Sequence, residues 1–245
     1  MALDLTIKIL CEFFEREIPK LAESYRWNIP IINGFIPSAN GNYHANVELK
    51  SHLHNQWISA SHERKCEIAE IIVKDWGGVR ANKPETLRNY VDAITKPNPE
   101  TPLGGVASYS KIFSIARPDK YAIYDARVAA CLNAVQLNAN IKNGVCFNYV
   151  SGRNNIVGNS VRKCGFTQTT QFSKRSLIKA GWPRLEKKET YEKYNEVLSI
   201  CLRELPGRKR YELEMTLFAE AERECQKQLT AVGSPIVEPN SQTAI

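Results

Sequence analysis

Apolar residues recur at helical spacing along most of the chain. In residues 3–27 they lie three or four positions apart, which places them on one face of a helix: Ile7, Leu10, Phe13, Phe14, Ile18 and Leu21. Residues 186–205 and 210–229 have the same spacing and are predicted to form two long amphipathic helices joined at Pro206-Gly207. Strand-type alternation is scarce. We therefore predict a mostly α protein.

Start and stop signals mark further helices. One is predicted to begin at Ser61, a favourable N-cap residue, and to end at the Gly77-Gly78 pair. Another begins near Pro84, because the first turn of a helix tolerates the missing N–H of proline. Two shorter helices are predicted at about 108–116 and at about 125–135.

The length and composition predict one large helical unit. The chain has 245 residues, of which 43% are apolar and 24% are charged, and these are globular values. We predict a single unit over residues 1–231 and a disordered tail over residues 232–245. The segment 137–183 is rich in Asn, Gly, Ser and Thr and has no periodic pattern that assigns it.

Several classes of protein are disfavoured by simple counts. No run approaches the ~20 apolar residues that a membrane-spanning helix needs, and the acids in the first 20 residues favour a helix over a signal peptide. The seven cysteines include no C-x-x-C pair, which disfavours a disulfide framework or a zinc ribbon. We expect a cytoplasmic monomer, nucleoid-associated if bacterial, with no membrane partner.

The positive charge is concentrated in one part of the sequence. Residues 142–210 hold 15 Lys and Arg against 5 Asp and Glu, whereas the whole chain has a net charge of +7. A basic segment on a nearly neutral body suits a polyanion such as DNA, because each neutralised phosphate releases counterions. The alternative is a solvated lysine-rich face.

One acid stands in an unusual place. Asp125 lies between the apolar pairs Ile123-Tyr124 and Val128-Ala129, where the neighbours are predicted to be buried. A glycine pair, Gly104-Gly105, comes about twenty positions earlier and permits a tight turn that leaves backbone N–H groups uncovered before a helix. Asp125 then falls at the N-cap of the next helix, where the helix dipole favours an anion.

This arrangement resembles the helix-hairpin-helix DNA glycosylase superfamily. "LGGVA", residues 103–107, is similar to the L-P-G-V-G hairpin, with Gly104 in place of the proline and Ala107 in place of the second glycine. "SYSKIFSIARPDKYAIYDARVA", residues 108–129, is similar to the OGG-like branch, that of the 8-oxoguanine glycosylases, and "WGGVRAN" and "ELEMTLFAEAE" also resemble segments of it. The close resemblance covers about thirty residues.

The resemblance implies a fold, a reaction and a catalytic residue. The fold would be a two-lobed helical protein with a cleft between the lobes and a hairpin at about 103–111. The protein would flip a base out of double-stranded DNA and hydrolyse its N-glycosidic bond. Asp125 would stabilise the positive charge that develops on the deoxyribose and would orient water. Without the hairpin, Asp125 would be read as an N-cap paired with Arg127.

The resemblance also assigns the type of glycosylase. Bifunctional members have a Schiff-base lysine just after the hairpin, where this chain has Ser108 or Tyr109. We therefore predict a monofunctional enzyme that uses water and no cofactor. Lys111, two or three residues further on, is a second candidate for catalysis or for phosphate contact, and its alternative is a surface lysine.

Two sets of residues are predicted to bind the DNA. Residues in and near the hairpin and in the basic segment would contact the phosphates: Gly104, Gly105, Ala107, Ser108, Arg127, Arg153, Arg162, Lys163, Lys174 and Arg175. Aromatic residues would stack against the flipped base: Tyr109, Tyr121, Tyr124, Trp57 and Trp182.

The target base and the reaction class have open alternatives. The base would be an oxidised guanine or a hypermodified phage base, such as glucosylated hydroxymethylcytosine excised in antiphage defence. A non-catalytic helix-hairpin-helix module would bind DNA without cleaving it. A metal-dependent nuclease would use His52 and His54, but this H-x-H pair has no H-E-x-x-H pattern around it, and we predict no metal site.

Overall fold

The protein is mostly helical, as predicted. In a computed structural model that describes residues 2–233, the helices are α1 (Ala2–Glu17), α2 (Leu21–Ser24), α3 (Asn42–Ser59), α4 (His62–Glu70), α5 (Pro84–Thr95), α6 (Val106–Ala116), α7 (Ala126–Asn138), α8 (Lys174–Lys179), α9 (Thr190–Glu204) and α10 (Arg210–Ala231). Two short antiparallel strands, β1 (Arg153–Asn154) and β2 (Gly158–Asn159), form a small hairpin in the polar segment. The predicted tail lies outside the described residues except for 232 and 233. No helix among the described residues is long and apolar enough to cross a membrane.

The predicted helix ends are largely confirmed. The Ser61 side chain accepts a hydrogen bond from the Arg64 amide at the start of α4, and Pro84 is the first residue of α5. The chain after α4 widens into a π-helix, Ile71–Trp76, before Gly77. The first predicted helix is interrupted at Pro19, where a short 3₁₀ turn separates α1 from α2.

Helix α3 was not predicted. Its segment reads as polar because of its asparagines and histidines, yet its buried apolar residues recur at every fourth position: Ala45, Leu49, Leu53 and Trp57. A stripe one residue wide is enough to hold a helix against a core when the other faces are solvated.

The helices pack in two groups. Helices α3 to α6 pack mainly on one another, and α1, α7, α9 and α10 form the other group, in which α7 lies along α10. A large buried cluster runs through both groups. Residues from both groups line a cavity between them. This cavity is called the central cavity below.

Candidate functional site

The central cavity brings together the two predicted catalytic residues. It has a volume of about 720 Å³, and both Asp125 and Lys111 line it. Ala107, Arg127, Arg153 and Arg162, which were predicted to contact DNA, also line it. The cavity thus joins residues from the hairpin, from the start of α7 and from the basic segment.

Asp125 caps helix α7, as predicted. Its Oδ1 accepts hydrogen bonds from the backbone amides of Arg127 at 2.9 Å and Val128 at 3.0 Å. Both bonds end on the same oxygen, so the cap does not need Oδ2. The residue is partly exposed on the cavity wall. The helix N-terminus therefore stabilises a carboxylate that still has an oxygen for other work.

Arg127 does not pair with Asp125. Its guanidinium forms an ion pair with Glu222 at 2.6 Å and lies 4.9 Å from the centroid of the Phe218 ring. The alternative prediction, that Asp125 is an N-cap paired with Arg127, is therefore right about the cap and wrong about the ion pair. The nearby cation is directed to another acid, and Asp125 keeps its place on the cavity wall.

Buried side chains hold the segment that leads to Asp125. Residues 121–124 belong to no helix or strand, so their buried backbone groups need side-chain partners. The Ala122 amide donates to Asn195 Oδ1 at 3.0 Å, and the Tyr191 hydroxyl donates to the Ala122 carbonyl at 2.9 Å. The Tyr194 hydroxyl donates to the Ile123 carbonyl at 3.0 Å. Helix α9 thus fixes the approach to the site.

Lys111 is buried and not a surface lysine. Only 8% of the residue is exposed, and its Nζ donates a hydrogen bond to the Ala107 carbonyl one turn earlier in α6. A Cβ at Gly77 would lie 2.7 Å from Lys111 Cδ, so the glycine of "WGGVRAN" leaves room for the lysine stem. Burial lowers the pKa of the Lys111 ammonium, and the negative charges of Asp125 and Glu214 oppose that shift.

Glu214 is a second carboxylate on the cavity wall that sequence reasoning missed. Its side chain is 4% exposed and forms a 2.5 Å ion pair with Lys50, whose Nζ lies 5.9 Å from the centroid of the Trp76 ring. The backbone of Ile123, two residues before Asp125, also interacts with this carboxylate and favours its charged form. Burial raises the pKa of Glu214 above its ordinary value; Lys50 opposes the rise, and the negative charge of Asp125 adds to it.

The aromatic wall of the cavity consists of other residues than those predicted. Tyr25, Trp27, Trp76 and Phe218 line it. The Trp27 and Phe218 rings meet edge to face, with centroids 5.6 Å apart. These residues come from the segment after α2, from the π-helix and from α10.

The aromatic residues that were predicted to form the base pocket lie in buried clusters instead. The Tyr109 hydroxyl donates to the Pro102 carbonyl at 2.8 Å, and the Tyr124 hydroxyl donates to the Asn148 carbonyl at 2.7 Å. Tyr121 stacks on Tyr191 inside the core. Trp57 lies in the core beside a separate small cavity, and Trp182 belongs to a minor buried cluster. The rings of all five residues are buried, and backbone carbonyls occupy the hydroxyls of Tyr109 and Tyr124.

The predicted phosphate-binding cations of the basic segment 142–210 separate into three kinds. Arg153 and Arg162 are exposed residues on the cavity wall. Lys163 and Arg175 are exposed but are not part of that wall. Lys174 is occupied inside the protein, because its Nζ donates to Asn148 Oδ1 and to the Leu185 carbonyl. Its assignment to DNA contact is corrected to a structural role.

The Gly104-Gly105 pair of the predicted hairpin forms a turn directly before α6. Gly104 and Gly105 are exposed between α5 and α6, and Gly105 has a φ of +79°, which a side chain would strain. A Cβ at Gly105 would also collide with the hydroxyl of Tyr90. Ser108 is buried and accepts a hydrogen bond from Asn82, so its hydroxyl serves the packing of the hairpin against "WGGVRAN".

The histidine pair does not form a chelating site. His52 and His54 lie two positions apart on helix α3, which turns their side chains about 200° away from each other. His54 Nδ1 is within 2.7 Å of the Ile115 carbonyl, and His52 Nε2 is within 2.9 Å of Gln56. In the described part of the chain, no group of three or more His, Cys, Asp or Glu residues is arranged to hold a metal ion. The geometry disfavours the nuclease hypothesis.

Comparison with known proteins adds no relative to this picture. No family model, curated protein or solved structure matches the chain. The interpretation of the site therefore rests on its own residues.

Proposed function

We propose that the protein is a DNA glycosylase that takes a flipped base into the central cavity and hydrolyses its N-glycosidic bond, leaving an abasic site. The position of Asp125 carries the proposal. Its carboxylate is held by two amides of a helix N-terminus, and it lies on the wall of a cavity beside a buried lysine and two exposed arginines. A fixed anion in a partly desolvated site is what an oxocarbenium-like transition state requires.

The other residues of the cavity support the remaining steps. Trp27, Trp76 and Phe218 offer apolar surface on which a base can stack. Glu214 can accept a hydrogen bond from an N–H on the edge of the base. Arg153 and Arg162 at the wall suit the flanking phosphates. A volume of about 720 Å³ is in the range of pockets that hold drug-sized ligands, so the cavity has room for an oxidised guanine or for a bulkier, hypermodified base.

We further propose that water, and not Lys111, attacks the sugar. The Nζ of Lys111 is turned back onto the carbonyl of Ala107 in its own helix. Its charge lies close enough to Asp125 and Glu214 to interact with both. In this role the lysine holds two like charges in one cavity without forming a covalent bond to DNA.

Released bases test the activity. The protein would be incubated with genomic DNAs that carry different modifications, including phage DNAs, and the released bases would be identified by mass spectrometry. We expect one modified base to appear with the wild type and not with Asp125→Asn, while both bind DNA with the same dependence on salt. Base release by neither protein, with DNA binding retained, would instead favour the non-catalytic module.

Strand cleavage tests the choice of nucleophile. We expect the treated DNA to break only after alkali, as an abasic site does, and we expect no protein–DNA adduct after borohydride reduction. An adduct that is lost in Lys111→Gln would overturn the monofunctional assignment.

A further inference from the structure

An exposed apolar residue lies at the edge of the central cavity. Val161 is 78% exposed, and its neighbour Arg162 lines the cavity. Residues 159–163 comprise the last residue of strand β2 and the turn that follows it, and we name this segment the rim turn. The rim turn is tied to the cavity wall because the Ser160 amide donates to the Gly152 carbonyl at 3.1 Å, and Gly152 lines the cavity too.

The rim turn is held in a fixed shape. Asn159 Oδ1 accepts the amides of Val161 at 3.1 Å and Arg162 at 3.0 Å, and its Nδ2 donates to the Arg153 carbonyl at 3.0 Å. Lys163 has a φ of +55°, which closes the turn. A turn whose backbone is already held in one conformation loses little conformational entropy when it is buried in a complex.

The residues around Val161 suit a nucleic acid. Arg162 and Lys163 follow it directly, and Arg153 lies across the hairpin. All three cations are exposed. An apolar tip that is flanked by cations can enter the base stack while the cations hold the phosphates on either side.

We propose that Val161 is the wedge that enters the DNA duplex and fills the space left by the extruded nucleotide. The inference rests on the proposed function, because a flipped base leaves a gap in the stack that an apolar side chain can fill. Arg162, between the wedge and the cavity, then contacts the backbone of the flipped nucleotide.

A second exposed apolar turn provides the matched control. Ile31 and Ile36 are 98% and 92% exposed and flank a tight turn in the loop 28–41. That loop contains no Lys or Arg, so it has no cations of its own to hold phosphates beside an inserted side chain. Ile36→Ala therefore removes an equally exposed side chain from a surface to which we assign no contact with DNA.

Fluorescence of a base analogue tests the wedge without any catalytic step. The probe is a duplex with a tetrahydrofuran abasic analogue and 2-aminopurine as the adjacent base. We expect the wild type to raise the 2-aminopurine fluorescence, and Val161→Ala to reduce that rise at least about fivefold, because the wedge unstacks the neighbouring base. Val161→Leu and Ile36→Ala should keep it. Each variant would be compared at saturating protein.

Base release provides the second measurement. Val161→Ala should slow release from duplex DNA by roughly tenfold but leave release from single-stranded DNA within about twofold, because a single strand needs no extrusion. The wedge would be overturned if the rise in 2-aminopurine fluorescence were unchanged in Val161→Ala, reduced equally in Ile36→Ala, or missing in the wild type. These outcomes are independent of whether a base is released, which decides the proposed function.

Discussion

Two carboxylates line the same cavity and are stabilised in different ways. Asp125 is partly exposed, and two backbone amides at the start of α7 bind one of its oxygens. Glu214 is buried on α10, where it forms an ion pair with the Lys50 ammonium. Helix α7 needs only one oxygen of Asp125, whereas the contacts of Glu214 hold its charge in place and tie α10 to α3.

The difference indicates a division of labour. A helix N-terminus stabilises an anion without neutralising it, so Asp125 can still act on a positive charge that develops in the cavity. An ion pair neutralises most of the field of Glu214, which leaves that residue suited to hydrogen bonding with a neutral base. Glu214 also interacts with the backbone of Ile123, two residues before Asp125, and the negative charge of Asp125 acts on Glu214. The two environments thus suit two different roles: we propose that Asp125 takes part in the reaction and that Glu214 recognises the base.

Substitution of Asp125 is expected to have the largest effect. Asp125→Asn keeps the cap, because asparagine is an equally good N-cap residue, but it removes the charge. We expect base release to fall by about 10²–10³-fold, the loss typical of a missing electrostatic group, with little change in stability. Single-turnover base release and urea unfolding would measure the two effects.

Asp125→Ala separates the charge from the cap. It should lose as much activity as Asp125→Asn and, in addition, about 1 kcal/mol of stability through the lost cap. Asp119→Asn, in the exposed turn before residue 121, is the matched control and should keep full activity. A variant Asp125→Asn that still releases bases at the wild-type rate would show that Asp125 is only a cap.

The sequence alone identified Asp125 as a candidate site residue, and it also contains a signal for Glu214. Asp125 was found because an acid stood inside an apolar stretch at a helix start. Glu214 stands in the same kind of setting, between the buried residues Leu213 and Met215. Its four-residue spacing from Phe218 also places both on one face of α10. That signal was present but is weak in a helix with many glutamates.

The aromatic residues of the cavity could not be separated from those of the core. Tyr124 and Trp27 are equally apolar in sequence, yet one lies fully inside the core and the other lines the cavity. Which of the two happens depends on how segments far apart in sequence pack, and local periodicity does not contain that information. For the same reason, Lys174 and Arg162 look alike in sequence but face different surroundings.

The ion pair of Glu214 gives the second prediction. In a double-mutant cycle with Lys50→Met and Glu214→Gln, we expect a coupling energy of about 2 kcal/mol in urea unfolding, because both partners are largely buried. The exposed pair Arg64–Glu67 is the control and should show a coupling below about 0.5 kcal/mol. Equal coupling in the two pairs would mean that burial does not distinguish Glu214.

The pH dependence of stability sharpens the same point. Burial raises the folded-state pKa of Glu214 above the ordinary 4.5, so the folded protein holds this proton more tightly than the unfolded chain. Its stabilising contribution is therefore full below pH 4.5 and is lost as the pH rises through the folded-state pKa. The free energy of unfolding of the wild type should therefore fall relative to that of Glu214→Gln as the pH rises through the folded-state pKa. A difference that stays constant with pH would contradict a raised pKa.

The smallest expected effect concerns the aromatic wall. Phe218→Ala removes a ring that contacts Trp27 and thereby part of the surface on which the base would stack. We expect KM for DNA that carries the excised base to rise about tenfold, while kcat stays within about threefold of the wild-type value. Tyr124→Phe is the control, because it removes a core hydrogen bond to Asn148 and should cost about 1 kcal/mol of stability without changing KM. Steady-state kinetics and urea unfolding on both variants would decide. Because Tyr124 is confined to the core, it should have no direct contact with the base. If KM rose as much in Tyr124→Phe as in Phe218→Ala, the assignment of the base pocket to the cavity aromatics would be wrong.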